Sequence, residues 1–139
     1  MSIHAFRLLP GSDLRSGIED FLKEKGIEAA ALVSCVGSLR SANLRLSGAS
    51  SEQQFQGPFE IVSSEGTLST NGCHIHIAIA DKLGKVHGGH LCYGSEIYTT
   101  AELVLLKLDD HEFLRQLDNE TGYKELLVRE IEGSIRQNK

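Results

Sequence analysis

The chain has 139 residues, 40% of them hydrophobic and 24% charged, with 14 Lys and Arg against 19 Asp and Glu and a formal charge of −5 at pH 7. That is enough chain for one soluble domain with a single core, and an acidic balance with no basic run argues against a phosphate-driven grip on duplex DNA. No apolar stretch approaches the ~20 residues that span a bilayer, and residues 1–7 offer neither a basic nor a long apolar region, so no signal peptide is expected and the cytoplasm is the expected location.

In chain order, residues 3–9 read as a strand ended by Pro10-Gly11. Ser12 or Asp13 can cap a helix that carries Leu14, Ile18, Phe21 and Leu22 on one stripe. Gly26, after Lys23 and Lys25, supplies its stop. Residues 29–36 are nearly all apolar, as in a strand covered on both faces. Gly37-Ser38 is expected to break that strand, with another following over 39–46. Residues 47–56 are polar and read as an exposed connection. A strand resumes at 59–62 and runs through Gly66 toward Leu68, and Thr70-Asn71-Gly72 is a turn. Residues 73–80 form a short Ile-rich strand, and 81–85 a hairpin loop in which Gly84 tolerates positive φ. Tyr98-Thr99-Thr100 tips residues 97–108 toward strand rather than helix. From Asp109 the chain is mixed and polar, with short elements near Phe113-Leu114 and at 126–128, and a tail from Gly133 that is expected to fray. Cys35, Cys73 and Cys92 form no CxxC pair and read as buried free thiols. The sum is an α+β domain over 1–139: a mostly antiparallel sheet packed with one main helix and short helical pieces, core about 3–128 and polar tail 129–139.

The chemistry concentrates in four of the six histidines, His74-Ile75-His76 and His87-Gly88-Gly89-His90. Imidazole is the commonest neutral metal ligand near physiological pH. Side chains two apart on a strand share a face, roughly 7 Å apart along the backbone, so His74 and His76 could grip one ion from one side. The Gly88-Gly89 step lets backbone pass close to another segment, and His90, across that Gly-Gly turn, could bring in a third imidazole. Cys73 should face away from His74 and is not counted as a ligand.

Several segments in succession resemble the plants and prokaryotes conserved (PPC) domain: Arg7-Leu8 with Gly11-Ser12-Asp13, residues 34–38, Gly57-Pro58-Phe59-Glu60-Ile61, His74-Ile75-His76, Gly88-Gly89-His90-Leu91 and Thr99-Thr100-Ala101-Glu102. They run in the family's order from about residue 3 to 127. The resemblance implies a sheet packed with helices, assembled as a homotrimer. It implies zinc held by His74, His76 and His90, as in some prokaryotic members, and a DNA-binding or regulatory role. In plants the domain is joined to an AT-hook; this chain lacks the Arg-Gly-Arg-Pro core of one, so direct DNA binding carries over weakly. His87 departs from the family pattern and reads as a surface or supporting residue, and His4 and His111 are isolated.

Three imidazoles leave a tetrahedral zinc one ligand short, and an open position is the mark of catalytic rather than structural zinc. Zinc lowers the pKa of a bound water and makes a hydroxide nucleophile available. The alternative function is therefore a small zinc-dependent hydrolase or ligand-binding enzyme, with Glu60 or Glu102 as general acid or base; an intersubunit ion pair explains those two glutamates at least as well. Gly37-Ser38 and Gly66-Thr67 could form anion nests, or simply tight turns. No phosphate loop, dinucleotide fingerprint or Ser-His-Asp pattern is present.

Overall fold

The computed structural model describes residues 1–131, so the tail expected to fray lies outside the described residues. Eight strands and one helix follow in order: β1 (Ser2–Leu8), α1 (Leu14–Lys25), β2 (Ala30–Arg45), β3 (Glu52–Leu68), β4 (His74–Ala80), β5 (Val86–Leu91), β6 (Ile97–Lys107), β7 (His111–Leu117) and β8 (Lys124–Glu130). The first six strands form one sheet in the order β1-β6-β2-β3-β4-β5, all pairs antiparallel, and β7 and β8 pair separately as a hairpin. The end of β2 also pairs with β5 through Leu44↔Leu91 and Arg45↔His90, so β2, β3, β4 and β5 close into a ring.

The helix forms for the reasons its sequence offers. Asp13 accepts the Ser16 N–H at 2.8 Å as N-cap, Gly26 takes the left-handed conformation at the C-terminus, and Leu14, Ile18 and Leu22 are buried. The second Asp13 oxygen accepts from Gly94 and Ser95 at 2.7 and 2.8 Å, which ties the helix start to the segment leaving β5. Under the helix lie Leu39, Leu44, Leu68, Ile75, Ile79, Leu91, Ile97, Leu103 and Leu105, all essentially inaccessible. Each buried side chain of this size contributes roughly 1.5–3 kcal/mol against exposure.

Four expectations need correction. Gly37-Ser38 does not end a strand. β2 runs straight through it with irregular register between Gly37 and Leu39, because Gly37 lets β6 approach so closely that a Cβ would strike the Thr100 carbonyl. Residues 52–56 are strand rather than loop; Gln53, Gln54, Phe55 and Gln56 pair with Leu44, Asn43, Ala42 and Ser41, and their polarity reflects an exposed hairpin arm. The C-terminal segment holds no helical piece among the described residues, but a seven-residue hairpin pairing from His111↔Glu130 to Leu117↔Lys124. Gly88-Gly89 is not a turn: both glycines lie within β5, opposite Ala78 and Ile77. The capped helix, the strands at 73–80 and 97–108 and the 81–85 loop lie where the sequence put them, and Cys35, Cys73 and Cys92 are free and buried. No helix is long and apolar enough to cross a membrane.

Candidate metal centre

Strand alternation sorts the histidines. On β4, Ile75, Ile77 and Ile79 point inward and are buried, which turns His74 and His76 to the outer face. On β5, His90 stands directly opposite His76 in register, and residues directly opposite share a face. His87 is three positions from His90, an odd step, and pairs with the inward Ile79. It packs beside Phe55 and Phe59 and lies 3.4 Å from Asp81. The odd spacing was the signal in the sequence that separates His87 from the other three.

His74, His76 and His90 converge as expected: one ring nitrogen from each lies within 4.8 Å of the others, and among the described residues no other His, Cys, Asp or Glu joins that cluster. The His74 and His76 Nε2 atoms are 3.1 Å apart. Tetrahedral zinc with Zn–N near 2.0–2.1 Å sets its ligand nitrogens about 3.3 Å apart, a spacing close to that of the His74 and His76 pair. Burial pushes the His90 pKa down to about 4, helped by His74 and by Arg15 and Arg45. Burial, then the neighbouring His76 and Arg115, lowers His74 as well. Neutral imidazole is the form that ligates.

Arg15 is the residue that sequence reasoning missed. From α1 its guanidinium donates to the Leu91 carbonyl at 2.7 Å and the Cys73 carbonyl at 3.1 Å, fastening the end of β5 to the start of β4. It pairs with Glu19 at 3.1 Å and lies 3.3 Å from His90 Nε2. A guanidinium only donates, so His90 Nε2 accepts and the ring proton falls on Nδ1, which is buried and has no partner among the described residues. An unmatched buried polar atom costs about 1–3 kcal/mol. Three neutral imidazoles suit a borderline-soft cation such as zinc; with the proton on Nδ1, the lone pair His90 offers is that of Nε2, which an ion would take over from Arg15. Nothing but a nearby packing partner in space, invisible in a linear reading, marks Arg15.

Glu60 and Glu102 are exposed on β3 and β6, and neither lines the cavities that border the histidines. Two other carboxylates border the cluster: Glu65, opposite His76 in the β3–β4 register, and Glu125, which lines a cavity with His74 and His90. Gly37-Ser38 and Gly66-Thr67 sit within strands and form no nest. A Cβ at Gly66 would lie 2.7 Å from the His74 carbonyl, so that glycine lets β3 pass His74.

Fold and site together define a small antiparallel-sheet protein with three imidazoles gathered on one outer face, a group that could hold a single ion. The family model of the Plants and Prokaryotes Conserved (PCC) domain matches residues 1–109, and the chain belongs to that family. A hypothetical protein from Salmonella cholerae-suis superimposes with a TM-score of 0.90 at 36% identity, over 93% of this chain and 94% of that one. A metal-containing protein from Archaeoglobus fulgidus does so with a TM-score of 0.81 at 34% identity, over 91% and 94%. By sequence the chain is 40% identical over 131 residues to the bifunctional protein GlmU of Synechococcus sp. (strain JA-3-3Ab), covering 94% of this chain but only 21% of that protein. The chain thus spans about a fifth of the length of the curated relatives it matches.

Proposed function

We propose that this protein is a zinc-binding member of its family that works as a homotrimeric binding or regulatory module, with His74, His76 and His90 as the protein's metal ligands. The observation that carries the reading is the convergence of the three ring nitrogens within 4.8 Å. The similar protein from Archaeoglobus fulgidus being metal-containing supports it. Exposed Val33 and Val36 on β2 and Val62 on β3 support a contact between copies, and Val33 lines a shallow cavity with His74 and His76, so such a contact would adjoin the site. Direct duplex binding stays outside the reading, because the charge is −5 and the chain has no basic run.

Metal analysis of protein purified without a histidine tag tests it. About one zinc per chain is expected, falling to near zero in His74→Ala and His90→Ala while the fold is kept. Wild-type protein that neither carries nor takes up zinc overturns the reading.

A second reading, a small zinc-dependent hydrolase or ligand-binding enzyme, is favoured by one feature. A cavity of about 400 Å³ opens against His74 and His90, so a small molecule can reach the fourth position. When bound there, zinc would supply Lewis-acid polarisation; Glu125 is the carboxylate that lines the same cavity, and Glu65 borders His74 and His76 from another.

A further inference from the structure

The cavity beside the histidines has a second character that the metal ligands do not explain. Its walls gather Arg15, Arg45, Arg115 and Lys124 against one acid, Glu125. In a chain with more acids than bases this is a concentration of positive charge. Arg15 is neutralised by Glu19, but among the described residues Arg45, Arg115 and Lys124 have no carboxylate within ion-pair distance.

Both arginines are held in place. Arg115 on β7 donates to the Thr67 hydroxyl at 2.8 Å and to its carbonyl at 3.4 Å, and partial burial lowers its pKa. Gly72, with φ of +137°, makes room for it: a Cβ there would sit 3.2 Å from the Arg115 Cγ. Arg45 at the end of β2 lies over the Tyr123 ring at 5.8 Å. A guanidinium fixed by protein contacts and lacking a carboxylate is matched in charge and geometry to a bidentate oxyanion.

The electrostatics of the metal reading lead the same way. Three neutral imidazoles leave both charges of a divalent ion uncompensated, and the surrounding guanidiniums add to the excess. An anionic ligand balances the site.

We propose that this cavity binds a small molecule bearing a compact oxyanion, a carboxylate or a phosphate, held by Arg45 and Arg115 next to the three histidines. The inference rests on the metal reading for the strength of binding and not for its existence, since the cationic walls belong to the protein alone. The concave, cavity-sized arrangement favours a small anion over a nucleic-acid backbone.

Calorimetric titration at low salt tests it, using inorganic phosphate and succinate as probes and metal-free and zinc-loaded protein in parallel. Binding of at least one probe with Kd of about 1 mM or tighter is expected, stronger in the zinc-loaded form. Arg45→Gln and Lys124→Gln, which remove no hydrogen bond within the fold, should weaken it by about tenfold or more for the arginine and less for the lysine, with zinc content unchanged. The preferred probe distinguishes a phosphate from a carboxylate ligand. Absence of binding by both probes overturns the proposal, as does equal binding to wild type and Arg45→Gln. An AT-rich duplex that binds through Arg45 while the small anions do not would replace it with a nucleic-acid surface. Anion binding by wild-type protein that proves unable to take up zinc would overturn the metal reading and leave this one standing.

Discussion

His90 carries the greatest burden of any residue here. Its ring is partly buried, lies beside two other imidazoles and two guanidiniums, and has a pKa near 4 in place of the usual 6.5. The folded protein therefore resists a proton that the unfolded chain accepts readily below about pH 6.5. Stability from this group is fully present above that value and is lost as pH falls toward 4. Metal-free protein is expected to show a midpoint of thermal unfolding that drops across this window, and His90→Gln should flatten the drop. A wild-type profile that is level from pH 7 to 4 would contradict the burial assigned to His90. Loss of metal on acidification would add to the same trend in loaded protein, because protons and metal compete for one lone pair.

At the scale of elements, the site depends on β5 being drawn in between β4 and the end of β2. Gly89 makes this possible: a Cβ there would sit 2.8 Å from the Arg45 carbonyl. Gly89→Val is expected to push the strands apart, lowering stability by about 1–3 kcal/mol and zinc affinity with it, whereas Gly84→Ala, at an open position in the 81–85 loop, should affect stability alone through its φ of +78°. Comparing denaturation midpoints and zinc stoichiometry of the two variants checks this. The glycine pair illustrates what a linear reading can reach. Periodicity placed His74 and His76 on one face, the capping residues placed α1, and Tyr98-Thr99-Thr100 placed β6. The Gly-Gly step was recognised as a place of close approach but taken for a turn, since nothing local distinguishes the two. β7–β8 hid for a different reason: its residues are largely exposed and lack clean alternation. The cationic wall hid because Arg15, Arg45 and Arg115 are far apart in the chain and meet only through tertiary contacts.

For the whole molecule, the exposed valines of β2 and β3 set the expectation. If trimer contact runs through them, Val36→Glu should leave the secondary structure intact and convert a species of about three chains into one of 15.2 kDa. Sedimentation equilibrium decides this, and a wild-type monomer would remove the trimer from the reading. A further consequence follows from the direct opposition of His76 and His90. Adjacent strands can pair wrongly by one residue while folding, and with a period of two such a slip turns one member of the pair to the opposite face. A ligand that requires both imidazoles binds only the correctly threaded hairpin and stabilises that arrangement alone. An ion held by both imidazoles would therefore select the native alignment of two neighbouring strands, and its supply during synthesis would bear on the yield of correctly folded chains.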